Sequence, residues 1–202
     1  DMTRPQKPNF LFIQTDQMTA FALSHYGNPV VKTPNLDKLA ARGVVFQNAY
    51  CNNPICASSR FSMMSGQLSS RVGAYDNAAE FPAQIPTFAH YLVDQGYHTC
   101  LSGKMHFVGP DQLHGFQERV TTDIYPSDFG WTPDWLAKGH QLPPSGMSMR
   151  SVVEAGISER SLQIDYDEEA CHQAEVKLWD YARNSPDQPF FLAVSFTHPH
   201  NP

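Results

Sequence analysis

The sequence predicts an α/β fold, a mostly parallel sheet with helices on both faces. Three observations lead there. Short apolar runs at residues 9–15 (NFLFIQT) and 190–196 (FFLAVSF) have the length and composition of buried strands. Segments with helical spacing alternate with such runs, the order that yields parallel strands joined by crossover helices. Finally, Asp16, Lys104, His106 and His198 all come just after predicted strands, at the edge where open parallel sheets bind ligands.

Along the chain, residues 9–15 form the first strand. Thr33-Pro34 opens a helix, with Thr33 as its cap and Pro34 at the first helical position, where a missing N–H costs nothing. Leu36, Leu39 and Ala40 keep helical spacing, and Gly43 supplies a stop. Residues 44–50 read as the next strand. A helix begins at or just after Cys56 and runs to Gly66. Pro86-Thr87 starts another, with Phe88, Tyr91 and Leu92 on one face and Gly96 at its end. Residues 97–102 are a strand. Residues 103–144, rich in glycine, proline and aromatics, read as a long functional loop. Residues 168–184 form a helix, with Asp165, Asp167, Glu168 and Glu169 at its positive end. Residues 190–196 are the last strand.

At 202 residues and 41% hydrophobic content, the chain can bury one sizeable core. A net charge of −6 gives no basic footprint, so no nucleic-acid partner is expected. No apolar run reaches the roughly 18–20 residues of a membrane span, and residues 1–8 carry no apolar signal segment. Four cysteines are too few for a disulfide framework. The expectation is therefore a cytoplasmic protein with no membrane partner. Cys51-x4-Cys56 together with nine histidines raises a zinc site, but no second half of the usual ligand spacing is present.

The stretch with the most chemistry is Cys56-Ala57-Ser58-Ser59-Arg60. A helix starting at Cys56 turns free N–H groups and a positive dipole end toward an anion. Arg60, one turn on, can grip an oxygen of that anion. Alone, the pair could equally be a buried free cysteine and a surface arginine. Asp16 suits a hard cation, or is a turn cap after its strand. Lys104 and His106, two apart on an extended segment, point to the same side, as His198 and His200 would.

The context sharpens this reading. The five residues fit C-x-[S/P]-x-R and resemble the mark of type I sulfatases, as do residues 9–13 with Asp16, and Thr33-Pro34-Asn35-Leu36-Asp37. Residues 75–80 (YDNAAE), 102–107 (SGKMHF) and 129–135 (FGWTPDW) are similar to the choline sulfatase branch in particular. The resemblance runs from Asn9 to about Trp135 and returns over residues 189–202. It implies an alkaline phosphatase-like sulfatase fold, of which residues 1–202 would be the N-terminal part.

The resemblance also implies a chemistry: hydrolysis of choline O-sulfate to choline and sulfate. Cys56 would be oxidised by a formylglycine-generating enzyme to Cα-formylglycine, whose hydrate attacks sulfur. Ser58 would belong to the signal that enzyme reads. Arg60 would hold the modified side chain or a sulfate oxygen, and Lys104 would neutralise sulfate charge. His106 would move a proton at the diol, and His198 would protonate the leaving oxygen or bind sulfate. Asp16 and the modified Cys56 would ligate a divalent cation, Ca²⁺ first, with Mg²⁺ or Mn²⁺ as alternatives. Gln17 stands where most sulfatases carry a second aspartate. Trp131 would wall a pocket for the quaternary ammonium through cation–π attraction. The remaining metal ligands would lie beyond Pro202, so the rest of a sulfatase polypeptide is an expected partner, and residues 1–202 alone would be inactive. A homo-oligomer is expected. The rival readings are an aryl sulfatase or phosphonate/phosphodiester hydrolase of the same superfamily, and an inactive fragment that packs on a partner chain.

Overall fold

The computed structural model describes residues 7–125 and 150–201. Strands β1 (Phe10–Thr15), β2 (His98–Gly103), β3 (Glu118–Arg119) and β4 (Phe190–Phe196) form one sheet in the order β1-β4-β2-β3. Every pairing is parallel. Phe10 to Thr15 lie opposite Phe191 to Phe196, and His98 to Gly103 opposite Phe190 to Ser195. The helices are α1 (Pro34–Ala40), α2 (Cys56–Ser65), α3 (Ser69–Val72), α4 (Phe88–Asp94), α5 (Arg150–Val153) and α6 (Leu162–Asn184). Two short 3-10 turns, Ala20–Ala22 and Ser24–Tyr26, precede α1.

Because side chains alternate along a strand, each central strand feeds two cores. On one face Leu101 and Ala193 pack with Ala57, Phe61 and Met64 of α2 and Ala89 of α4. On the other, Cys100, Leu192 and Val194 pack with Ala174 of α6. Helices thus cover both faces of a parallel sheet, as the alternating sequence predicts. The β2–β4 contact is tight where it meets the site. Gly103 has φ +100°, and a Cβ there would collide with the Ser195 carbonyl. No helix among the described residues is long and apolar enough to cross a membrane.

Several local expectations are corrected. Residues 44–50 form no strand, and Val44, Phe46 and Tyr50 are 83%, 71% and 91% exposed. No described strand pairs with them, and an apolar run without a ladder partner has nothing to hold it extended. Thr33 does not cap α1 with its side chain, because its hydroxyl is taken by Ser24 at 2.6 Å. On α4 the buried position is Ala89, while Tyr91 is 60% exposed. The helix expected from residue 168 begins six residues earlier. Ser161 caps it by accepting the Ile164 N–H at 3.1 Å, which leaves only Asp165 as an acid in the first turn. The stretch expected as a loop after residue 103 contains β3, which pairs with Cys100 and Leu101.

Candidate active site

The site forms where β1, β2 and β4 end beside the first turn of α2. Cys56 is the first residue of α2, and Ile55 before it is extended. Asn77 secures this end by accepting the Ala57 N–H on its Oδ1 at 3.1 Å. The helix ends at Gly66, whose left-handed conformation suits a residue without a Cβ. The Cys56 Sγ therefore sits at a helix N-terminus, 3.7 Å from both carboxylate oxygens of Asp16 and 3.8 Å from Lys104 Nζ.

Charge is concentrated beneath that sulfur. Lys104 is fully buried and pairs with Asp16. Arg60, also buried, reaches the same point from the next turn of α2. Its Nη1 donates to the Lys104 carbonyl at 2.8 Å and to Ser195 Oγ at 3.0 Å. Its Nη2 lies 3.6 Å from Asp16 Oδ1 and makes no hydrogen bond among the described residues. A buried guanidinium nitrogen without an acceptor is rare, because leaving it unmade is costly. Two cations against one carboxylate leave the floor net positive, which suits an anion.

His106 stands beside this floor. Its Nε2 donates to the Asn77 carbonyl at 3.0 Å, so Nδ1 is the basic nitrogen of the neutral ring. The Tyr125 ring covers both basic residues, 4.4 Å from Lys104 Nζ and 5.1 Å from the His106 ring centre. Lys104 and His106 do meet at one site, though not through an extended segment. His106 has φ +64°, so the chain turns between them.

The two histidines after β4 separate. His198 Nδ1 donates to Asp167 Oδ2 of α6 at 2.7 Å, and its side chain is 45% exposed. It lines a shallow surface cavity with Ile164, Asp167, Glu168 and Cys171. His200 instead offers a ligand atom within 4.8 Å of those of Asp16 and Cys56. The structure thus gathers Asp16, Cys56, Arg60, Lys104 and His106, adds His200, Asn77, Tyr125 and Ser195, and ties His198 to α6. Trp131, with Phe129 and Trp135, lies outside the described residues. The His-Pro-His spacing was the signal for His200, but spacing alone could not choose between the two rings.

Electrostatics follow from burial and these neighbours. Burial raises the Asp16 pKa, but Lys104 and Arg60 together outweigh it and hold the carboxyl below its usual value. Burial pushes the Cys56 thiol up, and Lys104 only partly offsets this. The unmodified thiol is thus a poor thiolate source. Burial, with Lys104 adding to it, presses His106 down to about 4, so its ring is neutral near pH 7. Burial raises Tyr125 to about 12.

A divalent cation fits the donor set. Asp16 and Cys56, from separate elements, bring ligand atoms within 4.8 Å of each other, and His200 offers a nitrogen within the same distance that a hard, oxygen-seeking cation leaves free for proton transfer. The sulfur position would have to carry oxygen for a hard cation, since thiols suit softer metals. All four cysteines are free, which leaves Cys56 open to modification.

The sequence matches the sulfatase family over residues 8–202. It is 49% identical over 199 residues to a choline-sulfatase of Rhizobium meliloti (strain 1021), covering 97% of this chain and 39% of that protein. It is 31% identical over 233 residues to an arylsulfatase of Clostridium perfringens (strain 13 / Type A), covering 97% of this chain and 44% of that one. Among solved structures, a 2-O GAG sulfatase superposes with a TM-score of 0.68 at 25% identity, covering 96% of this chain and 35% of that one. The chain spans well under half the length of the curated relatives it matches. It belongs to the sulfatase family.

Proposed function

We propose that this chain is the N-terminal part of a cytoplasmic sulfatase that hydrolyses choline O-sulfate, with Cys56 converted to Cα-formylglycine by a formylglycine-generating enzyme. One observation carries the reading. Cys56 opens α2 above Asp16 and Lys104, and the buried Arg60 Nη2 beside them has no acceptor among the described residues. A sulfate oxygen would supply that acceptor.

The aldehyde, as its hydrate, supplies an oxygen nucleophile where the cysteine sulfur now stands. A divalent cation, Ca²⁺ in the first instance, would be held by Asp16 and that oxygen, and would supply Lewis-acid polarisation of the sulfate. The chain's own residues do the rest. Lys104 and Arg60 face the sulfate oxygens and stabilise charge that builds during S–O cleavage. Their preorganisation comes from burial and from the Ser195 and Lys104 carbonyl acceptors of Arg60. His106, neutral with Nδ1 basic, accepts a proton at the nucleophile. His200, the histidine placed with Asp16 and Cys56, donates a proton to the departing choline oxygen. That role thereby passes from His198, whose Nδ1 proton is held by Asp167.

Preference for choline would come from Trp131, with the choline-sulfatase relative as support. Full-length protein assayed on choline O-sulfate and on an aryl sulfate tests this. Trp131→Ala should weaken turnover of choline O-sulfate far more than of the uncharged aryl ester. Loss of one cation–π face of about 0.5–2 kcal/mol corresponds to up to roughly thirtyfold. Equal losses on both esters would remove Trp131 from the pocket and favour an aryl sulfatase.

A further inference from the structure

We propose that Asp123 is the positioning residue of this site, fixing through one carboxylate both the Lys104-Met105-His106 turn and the Tyr125 ring. The inference rests on the sulfatase reading above for the roles of Lys104 and His106, but its geometry stands apart from it.

Where β2 ends, the Lys104 N–H still reaches the Ser195 carbonyl of β4 at 2.9 Å, but the N–H groups of Gly103, Met105 and His106 have no strand carbonyl and become donors that need other acceptors. The segment around Asp123 receives them in series. Thr121 Oγ1 accepts the Gly103 N–H at 2.7 Å. Asp123 Oδ2 accepts the Met105 N–H at 3.0 Å and the His106 N–H at 2.6 Å. The second bond falls at His106, a residue with a Cβ held at φ +64°. That conformation persists only where the surroundings over-determine it. Asp123 supplies that determination at the backbone, one oxygen accepting both N–H groups, while the Asn77 carbonyl holds the ring.

The carboxylate is itself braced. Its side chain is almost wholly buried, and Arg119 Nη2 pairs with it at 3.0 Å. Arg119 is anchored in turn to the Thr121 carbonyl and Gln112 Oε1. From α6, Tyr166 Oη donates to the Thr122 carbonyl at 2.6 Å. Two residues beyond Asp123, the chain lays Tyr125 over Lys104 Nζ and the His106 ring. One fixed point thus sets the backbone that carries the two basic residues and the ring that covers them. Asp123 makes no hydrogen bond to Cys56, Asp16 or Arg60, so it acts through Lys104 and His106.

The test uses full-length protein carrying Asp123→Ala or Asp123→Asn. The alanine removes the acceptor, whereas the asparagine keeps an oxygen for both N–H groups. Asp123→Ala should lower kcat on a sulfate ester about 10- to 100-fold, the scale of a misplaced catalytic group, with little change in KM. Asp123→Asn should keep kcat near that of the parent. A crystal structure of Asp123→Ala should show His106 out of the left-handed conformation or its bond to the Asn77 carbonyl lost. If alanine prevents folding, Asp123→Ser, too short to reach both N–H groups, takes its place. The proposal is overturned by unchanged kcat in the alanine variant, by asparagine as damaging as alanine, or by a crystal structure with His106 and Tyr125 unmoved. If the parent protein hydrolyses no sulfate ester, the sulfatase reading falls and the crystal structure alone decides whether Asp123 holds the turn.

Discussion

Two adjacent strands, β2 and β4, run into turns of the same design and deliver different residues. After β2 come Lys104, Met105 and His106. After β4 come His198, Pro199 and His200. Each turn carries two basic residues two apart, and each rests on an aspartate. Asp123 accepts the Met105 and His106 N–H groups. Asp167 accepts the N–H and hydroxyl of Thr197 and the N–H of His198. The difference lies in the side-chain donors of the turn. Asp123 takes only backbone donors from its turn, so Lys104 and His106 both face the site. Asp167 also takes the His198 ring at 2.7 Å, so only His200 reaches Asp16 and Cys56. The carboxylate under a turn therefore selects which side chain the turn delivers.

The first way to break this comparison is at its strongest point. Lys104→Met removes the buried charge between Asp16 and Cys56. Under the proposed function, turnover of a sulfate ester by the full-length protein should fall about 100- to 1,000-fold, as for loss of one preorganised stabilising group. A loss below tenfold would mean that the β2 turn does not deliver its lysine to the reaction.

The second contrasts the two histidines. His200→Ala should lower kcat about 100-fold, the lower range for a proton-transfer group, while His198→Ala should leave kcat near the parent value. Steady-state kinetics on both variants decides. The reverse order would return the proton-donor role to His198.

Most of the sheet and the helix that opens at Cys56 were legible in the sequence. NFLFIQT and FFLAVSF have the length and composition of strands and are strands, although Phe10, Leu11 and Ile13 of the first are 42%, 48% and 57% exposed rather than buried, and Cys56 to Gly66 carries its own stop. What could not be read depends on partners far along the chain. Residues 44–50 look like a strand until one asks which strand would pair with them. The start of α6 was set by Ser161, whose capping role shows only once Ile164 N–H needs an acceptor. The choice between His198 and His200 was set by Asp167, thirty-one residues before His198. The left-handed turn at His106 was set by Asp123, seventeen residues after it. Period-two alternation guides side-chain direction only while a strand continues, and both pairs lie beyond strand ends.

A third prediction separates support from positioning. Asp167→Ala should cost about 1–3 kcal/mol of stability through unpaired donors, read as a lower denaturant midpoint, with kcat close to the parent. A kcat loss equal to that expected for Asp123→Ala would erase the distinction between the two turns.

The smallest effect is on pH dependence. Burial lowers the pKa of His98, His106 and His114, with His106 at about 4. Unfolded histidines bind protons near pH 6.5, whereas folded His106 stays neutral down to about pH 4 and folded His98 and His114 bind protons less readily than when unfolded. Their contribution is present above pH 6.5 and is lost as the pH falls from there toward 4. The slope is about 1.4 kcal/mol for each unit of depression. Urea midpoints measured at pH 7.5 and pH 5 should show lower stability at the acid value. Equal midpoints would contradict the burial assigned to these rings.

The central claim is that Cys56 works as an aldehyde above a net positive floor, and peptide mass spectrometry of active full-length protein tests it most directly. The account predicts that the peptide containing residue 56 carries formylglycine, with the mass loss from thiol to aldehyde, in proportion to activity. Full sulfatase activity in protein whose Cys56 peptide is entirely unmodified thiol would contradict it.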